Sequence, residues 1–517
     1  MERKWWTLLA VSVGTFMLLL DVTIVNVALP DIQHSLHATF SDLQWVVDAY
    51  ALTLASLLLT AGSLADLFGR RLLFTIGLVI FTTGSLLCGV STGSEFLILA
   101  RSGQGIGGAI MFATALALLA QAFQGRERGT AFGVWGAVVG LAVAIGPVLG
   151  GIITTGIGWR WIFLVNVPIG VGAVLLTLSK VDESREQSAR RPDWLGFVLF
   201  TGALSSLVYA LIRANETSWS NAGVVTCFVL FVALMAGFVS AEQRGRHPMF
   251  DLSLFRVPTF TGGALAAFGI ASSLFALLLY IVIYLQDDLR YSALGAGMRL
   301  LILSGASLVT AFASGRLSST VPVRWLIAPG LAMVALGLFL MAGIHPDSSW
   351  THLIPGFAIS GLGIGLVNPP LASTAVGVVH PPQAGMASGI NNTFRQVGIA
   401  TGIAALGSIF ATRVRHDVLG SLAGLPGVGS HAGAVATALV QGNSPIAAAG
   451  RVTPATAARI GEAARSAFVN GLNEILLIGG VLAALAALAA LVLIRNRDFV
   501  QWSAEGGFQE PAAVGAH

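Results

Sequence analysis

The chain is predicted to be an all-α integral membrane protein with fourteen transmembrane helices, on three observations. Of its 517 residues, 55% are hydrophobic and 10% charged, where a soluble domain carries about a quarter charged residues. Apolar runs of about 20 residues, enough to cross roughly 30 Å of hydrocarbon, recur along nearly the whole length. The basic residues also collect on alternate connections between those runs, the pattern that orients membrane helices.

Hydropathy places the spans at residues 5–29, 43–64, 72–91, 96–120, 129–153, 161–179, 195–213, 222–241, 259–284, 295–314, 325–343, 352–372, 395–411 and 472–494. The first run is too long for a typical signal core and carries Asp21, so it reads as a retained helix. The thirteenth is the weakest, because the stretch from Gly389 to Arg395 is polar. With the N-terminus inside, inner segments hold Arg3, Lys4, Arg70, Arg71, Arg126, Arg128 and further basic residues as far as Arg395, Arg495 and Arg497. The short outer segments hold Arg160, Arg213 and Arg290. An even number of spans with both termini cytoplasmic follows.

The net charge of +4 is not gathered into a stripe, so no nucleic-acid partner is expected. Cys88 and Cys227 lie inside apolar runs, so neither a disulfide framework nor a zinc site is available, and no metal is expected.

Two charged inner linkers, residues 180–193 and 242–258, bracket a helix pair at 195–241. The expected organisation is a six-helix bundle over 1–179, a two-helix insert with its linkers over 180–258, a second bundle over 259–494, and a tail over 495–517. The second bundle includes a long outer loop, 412–471, read as a solvated connector. A partial internal repeat supports the duplication: Gly62-Ser63-Leu64 with Arg71 is echoed by Gly315-Arg316-Leu317 with Arg324, whereas Asp66 aligns with Ser319 and Gly69 with Pro322.

Asp21 is the first residue that demands a functional account, since a carboxylate within a lipid-spanning helix is costly and faces a cavity or a partner. It lies nine residues before Pro30, roughly 13 Å below the outer helix end at 1.5 Å per residue. Arg101 falls at a similar depth in the fourth span. The pair is either a structural ion pair or a proton site whose carboxylate burial and guanidinium bias in opposite senses. Asp48, in Trp45-Val46-Val47-Asp48-Ala49-Tyr50, lies about a turn below the outer surface and is a secondary candidate for proton or cation binding, equally readable as a snorkelling end charge. The tight inner turn Gly62 to Arg71 combines Gly62, Asp66, Gly69, Arg70 and Arg71, where an acid beside basic residues at a helix end makes a breakable latch. In the fifth span Gly136, Gly140 and Ala144 repeat every four residues ahead of Gly146-Pro147 and Gly150-Gly151, a close-packing stripe with a proline kink.

These motifs resemble the major facilitator superfamily, and within it the fourteen-span drug:proton antiporters. Leu20-Asp21-Val22-Thr23-Ile24-Val25-Asn26-Val27-Ala28-Leu29-Pro30 is similar to that family's first-helix signature, and Gly62 to Arg71 to its loop motif. Arg101-Ser102-Gly103-Gln104-Gly105-Ile106-Gly107 resembles the fourth-helix motif linked to proton transfer, and Gly146-Pro147-Val148-Leu149-Gly150-Gly151 the antiporter motif. Trp159 to Pro168, Tyr284-Leu285-Gln286 and Arg395-Gln396-Val397-Gly398 extend the likeness over nearly the whole chain.

The resemblance implies two bundles that rock about a central cavity, with proton entry driving export of small, hydrophobic drug-like compounds or antibiotics. It implies no cofactor beyond the proton motive force. In this reading Asp21 carries the proton, Arg101 tunes it, and Asn26, Tyr50 and Gln104 line the cavity. The implied partners are substrate, protons and membrane lipid, and the location is a bacterial cytoplasmic membrane. A departure is the lack of acidic residues within the spans from 259 to 411, which argues against strong selectivity for dications. The alternative is an exporter dedicated to one metabolite or self-made antibiotic, or an uncoupled facilitator. An enzyme is disfavoured by the absence of any His-x-x-Glu-His-type spacing or Gly-x-x-x-x-Gly-Lys phosphate loop.

Overall fold

The computed structural model describes residues 2–123, 125–184, 193–244, 252–318, 321–379, 384–422, 432–440, 448 and 453–499. Within them run fourteen long helices: α1 (Arg3–Leu36), α2 (Phe40–Phe68), α3 (Arg70–Gly89), α4 (Ser94–Ala122), α5 (Gly125–Gly156), α6 (Trp161–Lys180), α7 (Trp194–Glu216), α8 (Ala222–Arg244), α9 (Pro258–Asp288), α10 (Ala293–Leu317), α11 (Arg324–Met341), α12 (Ile354–Gly377), α13 (Ala384–Leu422) and α14 (Pro454–Leu493). Among the described residues, twelve stretches are long and apolar enough to cross a membrane.

Local chemistry sets several boundaries. Thr39 and Asp42 form a reciprocal capping box that starts α2, with bonds of 3.2 and 2.8 Å. Pro454 at the first turn, behind the Thr453 cap, starts α14. The expectation that α1 ends at Pro30 is corrected: the helix passes through Pro30 to Leu36 and stops at His37, which has φ 50°. Asp21 is therefore about 15 residues, or roughly 22 Å, from that end.

The largest difference from the sequence reading is at 412–471, expected as a loop. There α13 continues to Leu422, a short helix spans Ala432–Val440, and α14 begins at Pro454. The Ala-rich composition favours helix once an apolar face is buried, as Ile460, Ala464 and Ala467 are. Likewise α13 begins at Ala384, eleven residues before Arg395, so Arg395 lies within a helix and not on the inner connection where its charge had placed it.

α1 to α6 pack together, α3 and α2 against α4, α5 and α6 against α1; α9 to α14 repeat this, with α10 and α11 against α12 and α14 against α9, α11 and α13. The two groups meet along α5 with α10 and α2 with α13. The inserted pair is peripheral: α7 lies against α2 and α13, and α8 against α7. Only 11% of the most apolar window of α8 is buried, as suits a helix solvated by lipid.

Chain direction puts the start of α1 and the end of α14 on one face, called here the terminal face. Among the described residues, the side-chain contacts between the two groups lie toward the opposite face. His34 pairs with Asp287 at 3.6 Å, Gln286 donates to the Val27 carbonyl at 2.7 Å, and Leu294 N–H donates to Thr155 at 3.1 Å. Gln44 donates to Tyr280 at 3.1 Å and to the Ile403 carbonyl at 3.3 Å, and Phe40 stacks on Phe410. Toward the terminal face, no described atom lies within 4 Å of where a Cβ on Gly62 of α2 or Gly315 of α10 would sit.

Candidate functional site

Asp21 is 1% exposed and Arg101 2%, and Arg101 Nη1 lies 2.5 Å from Asp21 Oδ2. Gln104 Nε2 donates to Asp21 Oδ1 at 2.8 Å, and Asn166 Nδ2 to the same oxygen at 3.3 Å. Both amides also donate to Ser85 Oγ, at 2.6 and 3.1 Å. Gln104 Oε1 accepts from Arg101 Nη1 at 2.6 Å, and Arg101 Nε donates to the Val46 carbonyl at 3.1 Å. The guanidinium also lies over the Tyr50 ring, 4.2 Å from its centroid. Three neutral side chains, Ser85, Gln104 and Asn166, with the Val46 carbonyl of α2, thus complete the hydrogen bonding around a charged pair inside one helix group. Losing either charge would leave the other buried and unpaired, a cost of about 3–5 kcal/mol.

Small residues permit this approach. A Cβ at Gly105 would lie 2.1 Å from Thr53 Oγ1, and one at Gly107 2.4 Å from Phe81 N, so the glycines of the Arg101 segment seat α4 against α2 and α3.

Ser85 and Asn166 were not singled out from sequence. The signal for Asn166 was its place in the sixth-span segment; Ser85 gave none. Gln104 and Tyr50, expected on an open cavity wall, are instead enclosed in the network, at 0% and 2% exposure. The Gln104 amide is paired within the network, whereas Tyr50 presents its ring face to the Arg101 guanidinium and its buried hydroxyl has no partner among the described residues. Asn26 lies apart, half-buried on α1.

Asp48 is not a snorkelling end charge. It is fully buried, and neither carboxylate oxygen has a hydrogen-bond partner. It shares a face of α2 with Gln44 and Ala55, both bonded to α13, which places it on the seam between the two groups and not in the Asp21 network.

The turn between α2 and α3 has φ 120° at Gly69, a conformation glycine adopts readily. The Asp66 side chain lies outside the described residues, so the expected latch is not seen there. Glu183, just past α6, accepts from the Arg71 and Leu72 N–H groups at 3.0 and 3.1 Å and caps α3. A Cβ at Gly69 would meet that carboxylate at 2.7 Å. Arg70 N–H donates to the Ser184 carbonyl at 2.9 Å, and the Arg71 guanidinium to the Val181 carbonyl at 3.3 Å.

On α5, a Cβ at Gly146 would lie 1.9 Å from Thr23 Oγ1, and one at Gly150 2.9 Å from Ile24, both on α1 just past Asp21. Gly151 faces α10 instead, 2.6 Å from Leu294 Cα, and Gly297 of α10 would place a Cβ 2.3 Å from the Pro147 carbonyl. α5 is thus pressed between the helix that carries Asp21 and the other helix group. The side-chain surroundings of Gly136 and Gly140 lie outside the described residues.

A family model for the Major Facilitator Superfamily matches residues 11–403. The chain belongs to the Major Facilitator Superfamily. Among its relatives in this superfamily, the multidrug resistance protein Stp of Mycobacterium tuberculosis is 37% identical, over 78% of this chain and 75% of that one. The tetracenomycin C resistance and export protein of Streptomyces glaucescens is 34% identical over 95% and 91%. The puromycin resistance protein pur8 of Streptomyces alboniger is 36% identical over 79% and 82%. In fold, the chain is similar to a bacterial homologue of the lysosomal transporter Spinster in an inward-facing, unoccupied conformation, with TM-score 0.60, 19% identity and coverage of 97% and 99%. This facilitator-superfamily chain is a multi-pass protein of the bacterial cell membrane.

Proposed function

We propose that this protein is a proton-coupled antiporter that exports small, drug-like compounds from the bacterial cytoplasm. The observation that carries the reading is the Asp21–Arg101 network: a charged pair buried in a membrane helix group and held by neutral amides. Protonation of Asp21 neutralises it and frees Arg101. The packing of Gly146 and Gly150 on Thr23 and Ile24 carries the resulting shift of α1 through α5 to the seam with α10. The domain division at residues 179 and 258, fourteen spans with cytoplasmic termini, and the proton motive force as energy source belong to this proposal. The terminal face is then cytoplasmic, and a molecule joined at the opposite face is ready to load from inside.

The test compares wild type with Asp21→Asn, both in a pump-deficient bacterium challenged with diverse toxic compounds and in proteoliposomes under an imposed pH gradient. The variant is expected to lose gradient-driven export while keeping at least part of its substrate binding. Full gradient-driven transport by Asp21→Asn would remove the assignment. A second reading, an exporter dedicated to one antibiotic, is favoured by the relative that covers 95% of this chain and is named for resistance to a single compound. Breadth in the same challenge separates the two.

A further inference from the structure

Arg395 takes no part in the Asp21 network. It is set in α13, eleven residues past Ala384, roughly 16 Å along the helix. Thr393, two residues earlier, donates to the carbonyl of Ala55, at the middle of α2, so Arg395 lies near the mid-depth of the helix array. A charge at that level is costly and faces a protein interior or a water-filled cavity.

The helix distinguishes its sides. Ser388, Asn392, Arg395 and Gln396 follow the i, i+4, i+7, i+8 spacing of a single face, and all four are half-buried. A separate side carries Phe394, whose ring packs at a tilt against Phe255, centroids 5.7 Å apart, in the connection that leads from the inserted pair. Thr393 addresses α2, and Gly398 and Gly402 press on Phe268 and Ser272 of α9. The polar stripe therefore runs along the part of α13 that these apolar contacts leave uncovered, on the terminal-face side of the Gln44–Ile403 contact.

The guanidinium lies over Phe275, 5.1 Å from the ring centroid. Phe275 closes a π-helical turn of α9, Ala271–Phe275, a widened turn of the sort frequent at functional sites. Among the described residues, Arg395 has no carboxylate partner and no hydrogen bond. A guanidinium offers five N–H donors in a planar fork that matches a carboxylate or sulfonate.

We propose that Arg395, flanked by the amides of Asn392 and Gln396 and backed by Phe275, is an anion-recognition site in the transport cavity. Its ligands are amphipathic organic acids that carry a carboxylate, sulfonate or comparable oxyanion on an apolar body. The acid group takes the donors that the protein leaves open, and the apolar body lies against Phe275 and the neighbouring aliphatic side chains. The inference deepens the export reading, on which it rests only in requiring that the cavity admit a solute.

Two dyes that differ by one sulfonate test it: 1-anilinonaphthalene-8-sulfonate and the uncharged N-phenyl-1-naphthylamine. Binding is measured by fluorescence titration of the full-length protein in nanodiscs, with empty nanodiscs subtracted, at one pH and without any gradient. Failure of proton coupling therefore leaves the readout untouched. Arg395→Gln should weaken binding of the sulfonate dye about tenfold or more, the effect of losing a charge-assisted contact. Binding of the neutral dye should change less than twofold, and Arg395→Lys should recover part of the sulfonate affinity. Asn392→Asp, which sets a carboxylate beside the guanidinium, should also depress the sulfonate dye alone. The proposal is overturned if Arg395→Gln binds the sulfonate dye as wild type does, or if both variants lose the two dyes equally.

Discussion

Asp21 and Arg101 are conspicuous in the sequence because charges in apolar runs have few neutral explanations. Their partners are not conspicuous. Serine and asparagine are common in membrane helices, where hydroxyls often bond to their own backbone, as Thr114 and Thr177 do here. That Ser85 and Asn166 instead complete a five-residue network depends on α3 and α6 meeting α1 and α4 in space. Removing one donor from the Asp21 carboxylate while leaving the ion pair in place should be partial in effect. Asn166→Leu is expected to lower gradient-driven transport about tenfold, in line with about 1.5–3 kcal/mol for a hydrogen bond to a charged group. Initial rates in proteoliposomes measure this, and a rate equal to wild type would remove Asn166 from the working site. Asp48 shows the opposite limit of reading by residue. Its sequence position indicated a helix end, yet it is fully enclosed at the seam because α1 and α2 both run beyond their apolar cores.

At the scale of elements, the glycines of α5 were legible as a packing stripe, but their partners were not. Gly146 and Gly150 meet α1, whereas Gly151 meets α10, so a single helix serves two interfaces through residues one position apart. Gly146→Ala should destabilise the protein by about 1–3 kcal/mol, the usual cost of overpacking. Combination with Thr23→Ala, which removes the colliding hydroxyl, should recover part of that loss. Thermal unfolding of the purified single and double variants gives the coupling, and strict additivity would show that the two residues do not share a contact. α13 is the span least legible in sequence because its first third is polar. That polarity belongs to a helix whose Asn391 and Thr393 bond to the backbones of neighbouring helices.

For the whole molecule, the two helix groups are joined toward one face by α5 with α10 and by α2 with α13. If transport requires that face to open, locking it should stop the cycle. Gln44→Cys with Gly407→Cys places thiols at a contact where a Cβ on Gly407 would meet the Gln44 amide at 1.9 Å, and the shorter cysteine relieves that crowding. Oxidation, in a Cys227→Ala background, is expected to abolish transport, with dithiothreitol restoring it. Undiminished transport by a fully cross-linked protein would show that the seam does not open. The inserted pair belongs to this scale too, since α7 covers the edge of the α2–α13 seam while α8 contacts the rest of the molecule through α7.

The sequence by itself determined that the chain lives in a membrane, its approximate helix order, its family resemblance and the charged residues at its centre. Each follows from a local quantity: the transfer cost of a run of side chains, or the rarity of a charge among them. Only the tertiary structure decided which neutral residues satisfy Asp21, that Gln104 and Tyr50 face inward, that Glu183 caps the turn at Gly69, and that Arg395 of α13 has no carboxylate partner among the described residues. Those depend on which helix faces meet. In a membrane, where lipid is as apolar as most side chains, close packing of small residues and satisfaction of polar groups choose those faces, and a hydropathy pattern carries little of either.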